Sequence, residues 1–256
     1  MADLEQQKLD ALAEFAAGAG HEINNPLAII GGRVQLLLQE IDHPEHRRQL
    51  GIIAAQVKRA YEMIADIRFF ARPPNPETVM FNLTEELKTL VAEQSPLMKE
   101  AGVIFHADID SEEEPMTESD PVLLHVAINI LCNNAREAVQ LAGGTVWLRL
   151  RREESVWEIS VEDDGPGVPE EVRSLIFDPY YSGRESGRGL GFGLPKAWRI
   201  MQLLGGSIRC GHNGTFVLTL PRNQNPTQSR NLIECGFPNK SNAAVQDDRL
   251  WYNAPR

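Results

Sequence analysis

Two runs of apolar residues spaced three and four apart leave this chain few ways to begin. Leu9, Leu12, Ala16, Ala19 and Ile23, followed by Leu27, Ile30, Val34, Leu37 and Ile41, trace the first run. The pattern is a heptad seam rather than a simple surface stripe. Leu50, Ile53, Val57, Ala60, Ile64, Ile67 and Ala71 repeat it. One extra step of four falls beside Pro26, where a proline removes a helical hydrogen bond and usually bends the helix. Asp42-His43-Pro44-Glu45 supplies a short connection, so an antiparallel helical hairpin is expected. A lone hairpin cannot bury two continuous seams. Pairing with a second copy into a dimeric four-helix bundle is the economical solution; the other is a monomeric hairpin packed on the rest of the chain.

Arg72-Pro73-Pro74-Asn75-Pro76 ends the second helix and forms a linker. Beyond it the pattern turns to mixed α and β. A helix starts at Asn82-Leu83-Thr84 and runs toward Ser95-Pro96, and residues 103–108 alternate like a strand. Residues 120–141 are strongly helical, 145–151 and 156–162 read as a strand hairpin, 194–204 as a helix and 215–220 as a last strand. Strands and helices do not alternate strictly, so an α+β two-layer sandwich fits better than a doubly wound sheet. The expected organisation is multidomain: an all-α hairpin over 1–74, the sandwich over 78–222, and a tail over 223–256. The tail, rich in Asn, Gln, Ser and Pro, is expected to be disordered.

Composition narrows the functions available. The net charge of −11 argues against nonspecific nucleic-acid binding, which draws on Lys and Arg. A bound triphosphate would need local compensation from a metal, helix N-termini or a few placed cations. Cys132, Cys210 and Cys235 form neither a disulfide framework nor a zinc site, so a reducing, cytoplasmic setting is expected. No apolar run approaches the roughly 18 residues that span a bilayer, and the first residues do not resemble a signal peptide. No membrane contact is expected from this segment.

Four clusters carry candidate chemistry. In Gly20-His21-Glu22-Ile23-Asn24-Asn25-Pro26, the heptad places His21 at an outer position, where a neutral imidazole is a competent nucleophile near pH 7. Glu22 can accept its proton, and Asn25, one turn on, can position a water. In Glu162-Asp163-Asp164-Gly165-Pro166-Gly167, directly after a strand, Gly165 and Gly167 permit a tight turn beside a flat ligand. The Asp163 carboxylate can then accept from an exocyclic amine such as that of adenine. In Gly187-Arg188-Gly189-Leu190-Gly191-Phe192-Gly193-Leu194, alternating glycines open a helix and expose N–H groups to an anion. It is neither a Rossmann nor a P-loop pattern. Finally, Asn129, Asn133 and Asn134 lie in an otherwise apolar helix, and amide oxygens are suitable ligands for Mg²⁺.

In order and spacing, these clusters resemble the histidine kinases of two-component signalling. His21-Glu22-x-x-Asn25-Pro26 resembles the family's H box, the Asn134 segment its N box, and Asp163-x-Gly165-x-Gly167 its G1 box. Ile176-Phe177-Asp178-Pro179-Tyr180-Tyr181 resembles its F box, and Gly187-x-Gly189-Leu190-Gly191-x-Gly193-Leu194 its G2 box. The likeness covers residues 8–221, including Gly205-Gly206 and Gly214-Thr215-Phe216. It implies an ATP-binding sandwich of the histidine-kinase ATPase type. It implies that His21 takes a phosphoryl group from ATP·Mg²⁺, with Glu22 as acid/base partner, and passes it to a response-regulator receiver domain. It further implies that Asn25 serves dephosphorylation of that partner, Asn134 ligates Mg²⁺, Asp163 holds adenine and the G2 residues cradle phosphate. Arg184 falls on the lid, where arginine suits a γ-phosphate. Ile130 stands where the family usually has a second Asn, four residues before Asn134. Asn129 and Asn133 offer an alternative pair at that spacing, and Asn129 is counted with the ATP-binding set.

Two rivals share parts of the pattern. An ATPase of the same superfamily would activate water with a glutamate on the N-box helix and would lack the His-Glu pair. A signalling scaffold without turnover has only Ile130 in its favour.

Overall fold

The computed structural model describes residues 2–109, 114–140, 143–179, 181, 191–211 and 214–222, with side chains from Gly18 onward except at 19, 21, 70 and 71. Two long helices, α1 (Ala2–Glu40) and α2 (Pro44–Ala71), open the chain. Pro44 begins α2 in its first turn, where the N–H has no intrahelical acceptor to lose. Arg47 donates to the Leu38 and Ile41 carbonyls, two of the acceptors that the end of α1 leaves unused.

The helices run antiparallel, and three contacts set their register. Gly20 faces Ile64, the Tyr61 hydroxyl donates to the Asn24 carbonyl at 3.1 Å, and Gly31 faces Val57. Pro26 lies inside α1, which continues through it. The expected seam divides in two. Val34 and Val57 are buried between the helices, at 4% and 9% exposure. Ile23, Ile30 and Leu37, one heptad apart, remain 46%, 45% and 41% exposed. Half of the described apolar seam of α1 therefore stays open to solvent in a single chain.

After the linker come β1 (Val79–Asn82), α3 (Leu83–Glu100), β2 (Ile104–Asp108), β3 (Met116–Ser119) and α4 (Pro121–Val139). Then follow β4 (Thr145–Arg152), β5 (Val156–Asp163), a 3-10 turn (Glu170–Val172), α5 (Gly193–Leu203), β6 (Ser207–Cys210) and β7 (Phe216–Pro221). Five strands form one sheet in the order β2-β4-β5-β7-β6, with β2 parallel to β4 and the other pairs antiparallel. β1 and β3 pair separately. Three helices cover one sheet face. Leu124, Ile128 and Leu131 of α4 and Ile200 and Met201 of α5 are buried in one core with Leu148, Ile159 and Leu218. Arg149–Glu162 and Arg209–Glu158 ion pairs lie among side chains of the opposite alternation.

Two differences from the sequence expectation stand out: the end of α3 and three short strands. α3 does not stop at Pro96 but runs to Glu100, because Leu90, Gln94 and Met98 are buried on one stripe across the proline. That burial outweighs one lost backbone bond. β1, β3 and β6 have four residues each and are too short for alternation to be read.

Asp120 ties this fold to the linker. One carboxylate oxygen caps α4 by accepting from Leu123 N–H at 3.0 Å, and the other accepts from Glu77 N–H at 2.8 Å. Asn82 caps α3 in the same way but makes no such crossing bond. Loss of a single cap costs about 1 kcal/mol. Asp120→Ala should therefore lose about 2 kcal/mol and Asn82→Ala about half that, read by urea unfolding of the whole chain.

Candidate functional site

Strand alternation decides where the acidic residues after β5 point. Trp157, Ile159, Val161 and Asp163 share the inner face and are all buried. Asp163 is thus carried under the helix layer at the end of an apolar stripe, at 6% exposure. Its Oδ1 accepts from Gly165 N–H at 3.0 Å. Burial, chiefly, pushes its carboxyl from 3.8 up to about 6; the Gly165 bond partly offsets this, and the charges of Asp164 and Glu162 add to it. Asp164 points the other way. Its Oδ1 accepts from Thr145 N–H at 2.8 Å and pins the loop to the start of β4. One acidic residue is structural, and its neighbour presents acceptor capacity inside the fold.

Gly214 closes the other side of that carboxylate. It holds a φ of +76°, and a Cβ there would stand 2.9 Å from both Asp163 oxygens. Only glycine satisfies the angle and the approach together. The sequence resemblance included Gly214 as pattern but gave it no role; its signal was a lone glycine before the last strand. Gly167, on the neighbouring turn, also has a positive φ, 70°.

The stripe Ile130, Asn134 and Ala138 on α4 links this turn to the glycine run. At one end, a Cβ at Gly165 would meet Ala138 Cβ at 3.2 Å. At the other, a Cβ at Gly193, the first residue of α5, would lie 3.5 Å from Ile130 Cγ2. Asn134 sits midway, half-buried, in a span of about 12 Å set by the helical rise. A carboxylate acceptor, a central amide and a helix N-terminus therefore lie along one line.

The other asparagines turn toward α3. Asn129 Oδ1 accepts from Gln94 Nε2 at 2.5 Å and from Asn133 Nδ2 at 3.1 Å. Asn129 is thus placed apart from the line through Asn134, and so is Asn133. Gly191 has a φ of 70°, and Leu194 packs half-buried against the core. Arg184, Gly187, Gly189 and Leu190 lie outside the described residues. So does the side chain of His21, though its backbone lies on α1 beside Gly20. Glu22 and Asn25 are exposed on the same helix. Among the described residues no three His, Cys, Asp or Glu converge as a metal cluster, and no helix is long and apolar enough to cross a membrane.

The chain is thus a helical hairpin joined to an α+β sheet that carries a buried carboxylate between glycine turns. Residues 11–76 match the His Kinase A (phospho-acceptor) domain, and residues 119–224 match the histidine kinase-, DNA gyrase B- and HSP90-like ATPases. The signal transduction histidine-protein kinase AtoS of Escherichia coli is 32% identical over 87% of this chain and 37% of its own length. The sensory histidine kinase/phosphatase NtrB of Rhodobacter capsulatus is 33% identical over 72% of the chain and 53% of its own length. The chain thus spans between about a third and a half of these relatives. Full-length ShkA in complex with AMPPNP shares the fold at a TM-score of 0.70 and 22% identity, over 82% of this chain and 46% of that one. The chain belongs to the sensor histidine kinases, as their phospho-acceptor and ATPase core.

The buried Asp163 has a thermodynamic consequence. Its folded pKa, about 6, lies above the ordinary 3.8. Between pH 4 and 6 the folded chain therefore holds a proton that the unfolded chain has lost, and stability falls as pH rises through that window. At about 1.4 kcal/mol per unit, Asp163→Asn should gain on the order of 2–3 kcal/mol at pH 8 in the absence of nucleotide. Chemical unfolding from pH 4 to 8 should show a flatter profile in this variant.

Proposed function

We propose that this chain catalyses ATP-dependent phosphorylation of His21 and passes the phosphoryl group to an aspartate of a response-regulator receiver domain. The supporting observation is the line of Asp163, Asn134 and the α5 N-terminus along one stripe of α4. Asp163 carries acceptor capacity that Gly165 uses only in part, which fits the amine of adenine. Asn134 fits a Mg²⁺ held by one amide together with phosphate oxygens, and the first turn of α5 fits phosphate oxygens. The phosphoacceptor hairpin takes residues 1–74 and the ATP-binding sandwich residues 78–222. When bound, ATP·Mg²⁺ supplies the γ-phosphoryl group and the metal charge that offsets its oxygens.

A ring nitrogen of His21 takes the phosphorus with its lone pair as the bond to the β-phosphate oxygen breaks, and ADP leaves. Glu22 accepts the proton that the ring releases. The remaining demand is positional. In partner dephosphorylation, Asn25 directs a water onto the aspartyl phosphate of the receiver domain, the bond from phosphorus to the carboxylate oxygen breaks, and inorganic phosphate leaves. NtrB, one of the relatives, is named a kinase/phosphatase, and ThkA, which shares the fold at a TM-score of 0.60 over 85% of this chain and 64% of its own chain, was solved with the response regulator TrrA. Arg184, Gly187, Gly189, Leu190, Gly191, Gly193 and Leu194 complete the phosphate side. Pairing of two hairpins covers the exposed Ile23, Ile30 and Leu37 stripe. A cytoplasmic setting suits ATP chemistry and free cysteines.

Incubation with γ-labelled ATP·Mg²⁺ should yield acid-labile, base-stable label in the wild type. His21→Ala should take up none while binding nucleotide unchanged; acid-labile label retained in that variant would exclude His21. Asp163→Ala should weaken nucleotide binding by roughly tenfold or more, the loss of a buried hydrogen bond to a charged group. Leu37→Asp with Ile30→Asp should convert a dimer to a monomer in sedimentation.

A further inference from the structure

Lys196 lies in the first turn of α5, three residues after Gly193. Its ammonium group turns toward α2. It stands 2.8 Å from Asp66 Oδ1 on α2 and 5.1 Å from the centre of the Phe69 ring. The two charged side chains are only 21% and 29% exposed. Asp66 and Phe69 are three residues apart and so share one face of α2, and Phe69 packs against the core of the ATPase-type fold. The contact joins the hairpin to the helix that opens the phosphate side. With Gly20 facing Ile64, Asp66 lies within one turn of the level of His21 on the hairpin.

We propose that Asp66, Lys196 and Phe69 form a reversible latch that holds the ATP-binding fold on α2 and is loosened by the nucleotide's own phosphates. The proposal rests on ATP binding at the Asp163–Asn134 line. Asp66 places a carboxylate beside the first turn of α5, where a helix favours negative charge. A triphosphate arriving at that turn brings several more negative charges. It repels Asp66 and competes for Lys196, so closure of the latch and occupancy by nucleotide oppose each other. A partly covered ion pair reinforced by an aromatic face is firm enough to populate one arrangement and weak enough to open reversibly. Residues 73–78 form neither helix nor strand, so the fold can pivot about this segment once released. Because the coupling is reciprocal, closure of the latch weakens nucleotide binding by the same factor by which bound nucleotide weakens the latch.

The test uses the whole chain, Mg²⁺ and a non-hydrolysable ATP analogue. Asp66→Asn should bind the analogue three- to tenfold more tightly than wild type, and should autophosphorylate faster with ATP. Without nucleotide, the amides of residues 62–71 and 193–199 should exchange faster in Asp66→Asn. Asp66→Glu, which keeps the charge, should stay near wild type in all three readouts. Unchanged or weaker analogue binding in Asp66→Asn, or Asp66→Glu behaving like Asp66→Asn, overturns the latch. If wild type itself fails to bind the analogue, ATP binding at this line is refuted and the latch's coupling with it.

Discussion

Packing of α4 against the sheet is the constraint on which the rest of the molecule depends. Leu124, Ile128, Leu131, Cys132, Ala135 and Val139 are all buried, and together they take up the inner side of the helix. Burial on this scale stabilises the fold by roughly 1.5–3 kcal/mol per large apolar side chain. It also fixes the helix's rotation. Once that side faces the sheet, Ile130, Asn134 and Ala138 must run between the β5 turn and α5, and Asn129 and Asn133 must face α3. The functional direction of each asparagine follows from where the apolar residues had to go.

Two features of the fold are costly within a single unliganded chain. Asp163 is buried with one backbone donor and two acidic neighbours, an arrangement that opposes its ionised form. The outer heptad stripe of α1 leaves Ile23, Ile30 and Leu37 in contact with solvent. Each makes sense as half of an interaction completed by something outside the chain, an amine donor in one case and a matching helix surface in the other. A protein selected only for its own stability would place neither there.

Much of this was legible in the residues. Pro44 at the first position of α2 and the repeating seams marked the hairpin because heptad spacing and proline's missing donor act locally. Alternation in 145–151 and 156–162 marked the central strands for the same reason. β1, β3 and β6 escaped notice because four residues do not establish a period, and β1 and β3 are also remote from each other in sequence. α3 passed through Pro96 against expectation, since the burial of Met98 beyond it is a tertiary effect that no local rule contains.

The chain order of His21, Asn134, Asp163 and the glycine run is written in the sequence, as is the chemical type of each group. Glycine spacing and residue type act over a few bonds, so a reader of the sequence can see them. Which acidic residue turns inward, which asparagine faces the glycines, and that Gly214 rather than a larger residue must close on Asp163 were decided by tertiary structure. So was the meeting of Lys196 with Asp66, 130 positions apart. Those outcomes depend on sheet register and on the rotation of α4, which are fixed by the sum of many buried contacts and by no residue alone.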